Sequence, residues 1–318
     1  MGVAVNNWAE QIRAGDVRAI SRAITAVENR EAEAEELLRS LFTSTGQAYV
    51  IGLTGAPGTG KSSLVDRLAA FYRREGKSVG IIAVDPSSAF TGGAILGDRI
   101  RMQGHATDAG IYIRSMATRG FLGGLARATS DVALLLDAAG KQVVLIETVG
   151  VGQDEIDIVR LADSTLVLLV PGLGDDVQNM KAGLMEIGDI FVLNKADREG
   201  ADRLEQQILA MLNLVPEREG WKPPVVRTVA TEDKGTEALA SAVADFRSRS
   251  DLSRNQEARK IAHWKQRLVG LIEARLLERV VSDPQGEETL DQLAREVAER
   301  KKDPYAAVNE VLARAGIK

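Results

Sequence analysis

One stretch constrains the fold of this chain more than any other. Residues 55–62 read GAPGTGKS and match the pattern G-x-x-x-x-G-K-[ST] without a mismatch. A β-favouring run precedes this stretch, and apolar residues at helical spacing follow it from Ser63 to Tyr72. The glycines therefore fall between a strand and a helix, where backbone N–H groups and the positive end of the helix attract phosphate. The pattern predicts a nucleotide triphosphate site, with Lys61 beside the phosphates and Ser62 as a ligand of Mg²⁺.

Short segments rich in Val, Ile and Leu alternate with helical patterns in the middle of the chain. Near-continuous apolar runs of this kind are typical of parallel strands that are buried on both faces. The pattern predicts an α/β domain of the P-loop NTPase type, with a doubly wound, mostly parallel sheet. The predicted strands are Ala48–Leu53, Val79–Val84, Ile111–Ile113, Gln142–Ile146, Thr165–Val170, Ile190–Leu193 and Val225–Thr228.

Helical patterns flank this α/β region on both sides. We expect an N-terminal helical extension over residues 1–47, a nucleotide-binding α/β domain over 48–247 and a C-terminal helical extension over 248–318. The C-terminal extension carries one apolar stripe that is too narrow to form a domain core by itself. Periodicity does not decide whether that stripe folds back on the same chain or meets a second copy. Its members are Ile261, Trp264, Leu268, Leu271, Ile272 and Leu276.

Ligands of a doubly wound sheet bind beyond the carboxyl ends of its strands, so the residues that close the strands are informative. Asp85 directly follows the second predicted strand, and Glu147 directly follows the fourth. Each lies where a phosphate, a magnesium ion or a base would bind. Glu147 to Gly150 takes the place of the D-x-x-G of many GTPases, so we expect Glu147 near Mg²⁺ and the N–H of Gly150 near the γ-phosphate. No glutamine follows Gly150 directly, so Gln153 is the candidate for holding the attacking water.

The sixth predicted strand ends in Asn194-Lys195-Ala196-Asp197, which matches the N-K-x-D pattern of guanine-specific GTPases. The Asp197 carboxylate can accept hydrogen bonds from N1 and the exocyclic amino group of guanine, whereas adenine presents the opposite pattern. Residues 229–231 resemble the loop that contacts the guanine O6, although they depart from the usual Ser-Ala pair. The predicted nucleotide-binding set is Gly55, Ala56, Pro57, Gly58, Thr59, Gly60, Lys61, Ser62, Ser63, Gly150, Asn194, Lys195, Asp197, Val229, Ala230 and Thr231.

The segment Gly174–Lys181 follows the fifth predicted strand and should also emerge at the ligand-binding edge. Asp175 or Asp176 can cap a helix there, which would place Gln178 and Lys181 on one helical face. We expect this segment to act as a switch that senses a partner. A merely solvated helix start is the alternative interpretation.

Composition narrows the classes of function. The 318 residues include 40 basic and 45 acidic side chains, and this balance argues against a nucleic-acid partner. No apolar run approaches the span of a bilayer, and we expect a cytoplasmic protein without a membrane partner. The chain has no cysteine and two histidines, His105 and His263, which argues against a nickel-delivery GTPase. A transport-associated kinase or ATPase is the second alternative class of function, and the N-K-x-D pattern argues against it because that pattern selects guanine.

Several longer motifs resemble the MeaB/ArgK/MMAA group of P-loop GTPases. They are GAPGTGKS at Gly55, AVDPSS at Ala83, GDRIRM at Gly97, RSMATRG at Arg114, ETVGVGQ at Glu147, PGLGDDVQNMKAGLMEI at Pro171 and NKAD at Asn194. The resemblance implies a GTP-hydrolysing chaperone that gates or protects an adenosylcobalamin-dependent acyl-CoA mutase of the methylmalonyl-CoA mutase type.

The same resemblance carries implications for the site and the assembly. It adds Asp98 as a switch residue to Ser62, Asp85 and Glu147 around Mg²⁺, with Lys61, Asp85 and Glu147 as the catalytic set. GTP or GDP is expected as the bound nucleotide, and no cobalamin is expected to bind this chain directly. The resemblance also implies a homodimer formed through the C-terminal extension.

Overall fold

The structure is a computed structural model that describes residues 2–85, 103–105, 107–117, 124–148, 161–172, 187–214, 220–252, 256–281, 284–314 and 316. The first helices are α1 (Gly2–Arg13), α2 (Val17–Asn29) and α3 (Ala32–Leu41). The central elements are β1 (Tyr49–Thr54), α4 (Lys61–Arg74), β2 (Val79–Asp85), β3 (Ile111–Ala117), α5 (Gly124–Ala138), β4 (Val143–Glu147), β5 (Ser164–Leu169), β6 (Ile190–Asn194), α6 (Ala201–Leu212), β7 (Val225–Thr228) and α7 (Thr236–Leu252). The last helices are α8 (Gln256–Val281), α9 (Pro284–Ala298) and α10 (Pro304–Arg314).

The strands form one seven-stranded sheet in the order β3-β2-β4-β1-β5-β6-β7. Every pairing is parallel, and Ile51 on the central strand β1 lies between Leu145 of β4 and Ser164 of β5. The order of the strands reverses direction at β1, which is the switch point where doubly wound sheets bind their ligands. The predicted doubly wound, parallel α/β fold is confirmed.

The observed strand bounds agree closely with those predicted from apolar periodicity. All seven predicted strands are present, and six of them match the prediction to within one residue at each end. The exception is β3, which continues four residues beyond Ile113 to Ala117. Arg114 obscured this strand because a charged residue in a short apolar run is typical of a loop. The guanidinium of Arg114 is instead paired with the carboxylate of Glu28 on α2, so its charge is compensated at the sheet edge.

Apolar side chains of the strands alternate between the two faces of the sheet and form three buried clusters in the described part of the chain, one of which joins β5 and β6 to α6. On β2, Ile81 packs with α4 and α7 on one face, whereas Ile82 packs with α5 and the N-terminal helices on the other. This alternation follows from the two-residue repeat of a strand. Both faces are covered by helices, which explains why the strands are apolar on both sides.

The three N-terminal helices share the cluster that contains Ile82 with the sheet. The apolar side of α2, which includes Ile20 and Ile24, is buried against α5 and neighbouring side chains. Asp16 caps α2 by accepting a hydrogen bond from the Ala19 amide at 2.7 Å, and Ser21 is 3.0 Å from the Tyr112 hydroxyl on β3.

By its internal contacts the chain divides into two compact units, Met1–Gln256 and Glu257–Lys318. The second unit is stabilised in part by Lys302, whose ammonium is 2.9 Å from Glu296 and 2.7 Å from Glu310. Across both units, no helix in the described part of the chain is long and apolar enough to cross a membrane.

A buried carboxylate at the end of α5 fixes the chain where it enters the sheet. Asp137 is 9% exposed and accepts hydrogen bonds from three consecutive amides, those of Gly46, Gln47 and Ala48. The Gln47 and Ala48 amides donate at 3.2 and 2.9 Å. These amides lie just before β1, so Asp137 holds the segment that leads from the N-terminal helices to the central strand.

We expect Asp137→Ala to lower the free energy of unfolding by about 2–3 kcal/mol, because hydrogen bonds to a charged group are stronger than neutral ones and three amides lose their acceptor. Chemical denaturation followed by circular dichroism measures this loss. Asp245→Ala on the exposed face of α7 is the matched control and should change little. A denaturation midpoint for Asp137→Ala equal to that of the control would contradict the anchoring role.

Candidate nucleotide-binding site

The predicted phosphate-binding stretch lies between β1 and α4, as the sequence pattern requires. Two of its glycines occupy positions where no other residue fits without rearrangement. Gly55 has φ 143°, and a Cβ there would lie 2.4 Å from the Leu168 carbonyl oxygen on β5. Gly60 has φ 91°, and its Cβ would lie 2.5 Å from Nδ2 of Asn194. The loop thus passes close to the two strands β5 and β6, and only glycine allows this approach.

Lys61 is the first residue of α4 and is 6% exposed. Its Nζ donates hydrogen bonds to the carbonyl oxygens of Gly55 at 2.8 Å and Ala56 at 3.1 Å. The ammonium therefore curls back over the loop that leads into its own helix. An ammonium held in this position adds positive charge to the dipole of the α4 N-terminus, which favours a bound phosphate chain.

Ser62 and Glu147 come together although 85 positions separate them in sequence. The Ser62 hydroxyl donates to Oε1 of Glu147 at 2.7 Å, and the two residues are 8% and 6% exposed. Thr148, the next residue, donates from its amide to the Leu53 carbonyl at 3.1 Å, which fixes the end of β4 against β1. A hydroxyl and a carboxylate are hard oxygen donors of the type that Mg²⁺ prefers, so this pair fits the implied ion.

Asp85, the third described residue of the predicted metal group, closes β2 beside β4. Ala83 pairs with Glu147 in the register of the sheet, so Asp85 lies two residues further along the neighbouring strand. The structure describes the backbone of Asp85 only. The remaining predicted switch and γ-phosphate residues lie outside the described residues; they are Asp98, Gly150, Gln153, Gln178 and Lys181.

Asn194 joins three parts of the site through one side chain that is 2% exposed. Its Nδ2 donates to the Thr59 carbonyl in the phosphate loop at 2.8 Å. Its Oδ1 accepts from the Thr228 hydroxyl at 3.0 Å and from the Ala230 amide at 3.2 Å. A buried amide with donors and acceptors satisfied in this way fixes the relative positions of the segments that it connects.

Lys195 and Asp197 follow in the turn after β6. Lys195 has φ 55°, and its Nζ donates to the Gly58 carbonyl at 2.7 Å, which is a second link between the N-K-x-D turn and the phosphate loop. The left-handed backbone at Lys195 is costly for a residue other than glycine, and its ion-to-carbonyl contact offsets that cost. Asp197 is exposed at the same edge of the sheet.

The predicted base-contacting residues Val229, Ala230 and Thr231 form a short turn after β7. The Val229 amide donates to the Lys234 carbonyl at 3.0 Å, and residues 230–232 form one turn of 3₁₀-helix. Gly235 closes the turn with φ 81°, where a Cβ would lie 2.1 Å from the Arg227 carbonyl oxygen. The tight turn therefore lies beside the Asn194 side chain at the carboxyl edge of the sheet.

Three contributors to this arrangement were not identified from sequence. Thr54 and Thr228 close β1 and β7, and the rule that strand ends carry the site would have found both. The Thr54 hydroxyl is 3.2 Å from that of Thr148, and the Thr228 hydroxyl binds Asn194. Arg67 on α4 donates from Nε to the Ala230 carbonyl at 3.0 Å, and no sequence pattern signals that contact.

His105 lies near α4 rather than in the nucleotide site. Its Nε2 is 3.0 Å from Oδ1 of Asp66, and Asp108 forms a bidentate ion pair with Arg73 at 2.9 and 3.0 Å. The hydrogen bonds from Arg73 hold the pKa of Asp108 below its usual value. These two pairs attach residues 105 and 108 to the side of α4, which gives this histidine a structural role.

Comparison with known proteins places this chain in a family. A family model described as "Methylmalonyl Co-A mutase-associated GTPase MeaB" matches residues 20–285. A protein of Pyrococcus abyssi, named only as a GTPase, is 49% identical over 314 residues, which cover 97% of this chain and 96% of that protein. The mouse protein named "Methylmalonic aciduria type A homolog, mitochondrial" is 30% identical over 316 residues, with coverage of 94% and 76%.

A solved structure shows the same fold over nearly the full length. The crystal structure of a LAO/AO transport system kinase superposes with a TM-score of 0.74 at 25% identity, and the match covers 98% of this chain and 97% of that one. The resemblance inferred from the sequence motifs is therefore confirmed. With its phosphate loop and N-K-x-D turn joined through Asn194, the chain belongs to the MeaB family of GTPases, the methylmalonyl-CoA mutase-associated GTPases.

Proposed function

We propose that this protein hydrolyses GTP in the presence of Mg²⁺ and acts as a chaperone that gates or protects an adenosylcobalamin-dependent acyl-CoA mutase. The observation that carries the nucleotide part is the Asn194 side chain, which holds the phosphate loop and the base-contacting turn in one geometry. The support for the mutase part is the family match and the name of the mouse relative.

The residues of the site divide the chemistry among them. Lys61 and the N–H groups of the phosphate loop would stabilise negative charge on the β- and γ-phosphates. Ser62, Glu147 and Asp85 would hold Mg²⁺, which supplies further charge neutralisation when it is bound. Asp98, Gly150 and Gln153 remain proposed as residues that respond to the γ-phosphate and the attacking water.

A partner that orders the remaining parts of the site could accelerate a slow intrinsic reaction, as activators of other GTPases do. We propose that the segment containing Gln178 and Lys181 is the part of this chain that such a partner orders. The test is steady-state phosphate release from GTP by the purified chain, with and without saturating adenosylcobalamin-dependent methylmalonyl-CoA mutase.

We expect the mutase to stimulate the wild-type chain and to stimulate the double variant Gln178→Ala, Lys181→Ala far less, while both share one basal rate. No stimulation of the wild-type chain would contradict the mutase assignment. Full stimulation of the double variant would contradict the switch role, and an equal loss of both rates would place these residues in the catalytic site.

The similarity to a LAO/AO transport system kinase suggests a second class of function, a transport-associated kinase. The Asn194 to Asp197 turn opposes that function, because its carboxylate matches the hydrogen-bonding pattern of guanine and not that of adenine. Preference for ATP over GTP in phosphate release would favour the kinase class.

We also propose that α8 forms the contact between two copies of the chain. Ile261, Leu268, Ile272 and Leu276 are 61%, 56%, 56% and 43% exposed, and their spacing of seven, four and four residues places them on one side of the helix. Exposed apolar side chains in a continuous stripe are typical of interaction surfaces. The resemblance to a dimeric family favours a second copy as the partner.

Truncation before Ser253 should therefore convert a dimer into a monomer, as measured by sedimentation velocity. A finer variant, Leu268→Glu with Ile272→Glu, should have the same effect because two buried carboxylates would oppose association. Val308→Glu on α10 is the matched control, since Val308 is equally exposed at 56% but lies on another helix. An unchanged oligomeric state for the truncated chain would support a stripe that folds back on its own chain.

A further inference from the structure

Helix α4 contacts both ends of the nucleotide site. Its first turn carries Lys61 and Ser62 at the phosphate end. Arg67 lies on the same helix, and its Nε donates to the carbonyl oxygen of Ala230 at 3.0 Å, 163 positions away in sequence. A single rigid helix thus connects the residues that bind phosphate with the turn at residues 229–231.

The backbone of Ala230 is held from two sides. Asn194 accepts a hydrogen bond from its amide at 3.2 Å, and Arg67 donates to its carbonyl at 3.0 Å. The other backbone contacts of this turn, such as Glu232 N–H to Val229 at 2.9 Å and Val229 N–H to Lys234, are internal to it. Those internal bonds preserve the shape of the turn but do not set its distance from the phosphate loop. The pairing of β7 on β6 brings the turn to this edge of the sheet, and the Asn194 and Arg67 contacts then hold its backbone against the site.

The charge and location of Arg67 suit it to holding the turn at residues 229–231. A hydrogen bond from a guanidinium to a carbonyl is stronger than one between neutral groups. The Arg67 side chain is 38% exposed and the nearest carboxylate oxygen of Asp66 is 4.0 Å away, so the Ala230 carbonyl is its closest acceptor among the described residues. Base recognition depends on hydrogen-bond distances, which a displacement of about 1 Å is enough to break.

We propose that Arg67 is a positioning residue for base recognition: it fixes the turn at residues 229–231 relative to the phosphate loop and thereby sets the selectivity for guanine. This inference rests on the proposed binding of guanine nucleotides. It assigns Arg67 no contact with the phosphates. Loss of Arg67 should therefore weaken recognition of the base without weakening recognition of the phosphate chain.

The experiment compares two probes by isothermal titration calorimetry, GDP with Mg²⁺ and inorganic tripolyphosphate with Mg²⁺. For Arg67→Ala we expect the Kd of GDP to rise about tenfold, as for the loss of one charge-assisted hydrogen bond, while the Kd of tripolyphosphate changes by less than about twofold. Arg67→Lys keeps a cationic donor and should recover part of the GDP affinity. The preference for GDP over ADP should fall in parallel with the loss of GDP affinity.

Arg74→Ala is the matched control. Arg74 lies seven residues further along α4 and reaches Asp233 of the same turn, but at 3.7 Å and with a side chain that is 58% exposed. Exposed ion pairs of this length contribute little, so GDP and tripolyphosphate should bind to Arg74→Ala as they bind to the wild type. Thermal unfolding of each variant confirms that the fold is intact.

Three results would overturn the inference for Arg67: an unchanged GDP affinity in Arg67→Ala, an equal loss for both probes, or an equal loss of GDP affinity in Arg74→Ala. A wild-type chain that does not prefer GDP to ADP is a different outcome, because it would overturn the guanine assignment itself. The two failures are therefore distinguishable from the wild-type measurement alone.

Discussion

Replacing Lys61 by alanine is expected to reduce GTP hydrolysis by about 100-fold or more, the usual effect of removing one donor that stabilises transition-state charge. The Lys61 ammonium is buried and donates to the Gly55 and Ala56 carbonyl oxygens at 2.8 and 3.1 Å, so the side chain also supports the shape of the phosphate loop. Nucleotide affinity should fall as well, because the loop loses both its charge and two internal hydrogen bonds.

Phosphate release under saturating GTP measures the rate, and titration with GDP and GTP measures the affinity. Lys77→Ala is the matched control, since Lys77 lies just beyond the opposite end of α4 with its Nζ 5.3 Å from the Tyr72 ring. A rate for Lys61→Ala within about a factor of ten of the wild type would contradict the catalytic assignment. A lower rate with unchanged affinity would limit the effect of Lys61 to the transition state.

Replacing Asp197 by asparagine should shift the preference between XTP and GTP by about 100-fold or more, because a site built to hydrogen-bond one base rejects another that leaves its groups unpaired. The aspartate presents two acceptors, which match the two donors of guanine. Asparagine presents one acceptor and one donor, which match N1–H and the 2-oxo group of xanthine. Asp197 is exposed at the carboxyl edge of the sheet, within the turn that Lys195 fixes to Gly58 at 2.7 Å.

Competition between GTP and XTP for the site measures this change directly. The matched control is Asp202→Asn, a substitution of the same chemistry at an exposed carboxylate that pairs with Arg227 at 2.7 Å. The control should retain the wild-type preference. An Asp197→Asn variant that keeps its GTP affinity and gains none for XTP would remove the guanine assignment from this turn.

Sequence patterns involve residues that are close together in the chain, so they predict only the parts of this fold that depend on such residues. The seven strands and α4 were predictable because apolar periodicity and the phosphate-loop pattern are local properties of adjacent residues. The parallel sheet followed from apolar runs such as that of β4, since only strands covered on both faces can bury so many apolar side chains. The C-terminal part of β3 was not predicted, because the Glu28 carboxylate that pairs with the charge of Arg114 lies 86 positions away in sequence.

The sequence by itself therefore determined the fold class, and it predicts the phosphate loop and the guanine-type turn, because all three depend on residues close together in the chain. The tertiary structure decided how these parts meet. It alone places the Ser62 hydroxyl 2.7 Å from Glu147, the Asn194 amide across three segments and the Arg67 guanidinium on the Ala230 carbonyl. Such contacts join residues 85 to 163 positions apart, and their geometry depends on the packing of α4 and the strands into one core, which no local pattern encodes.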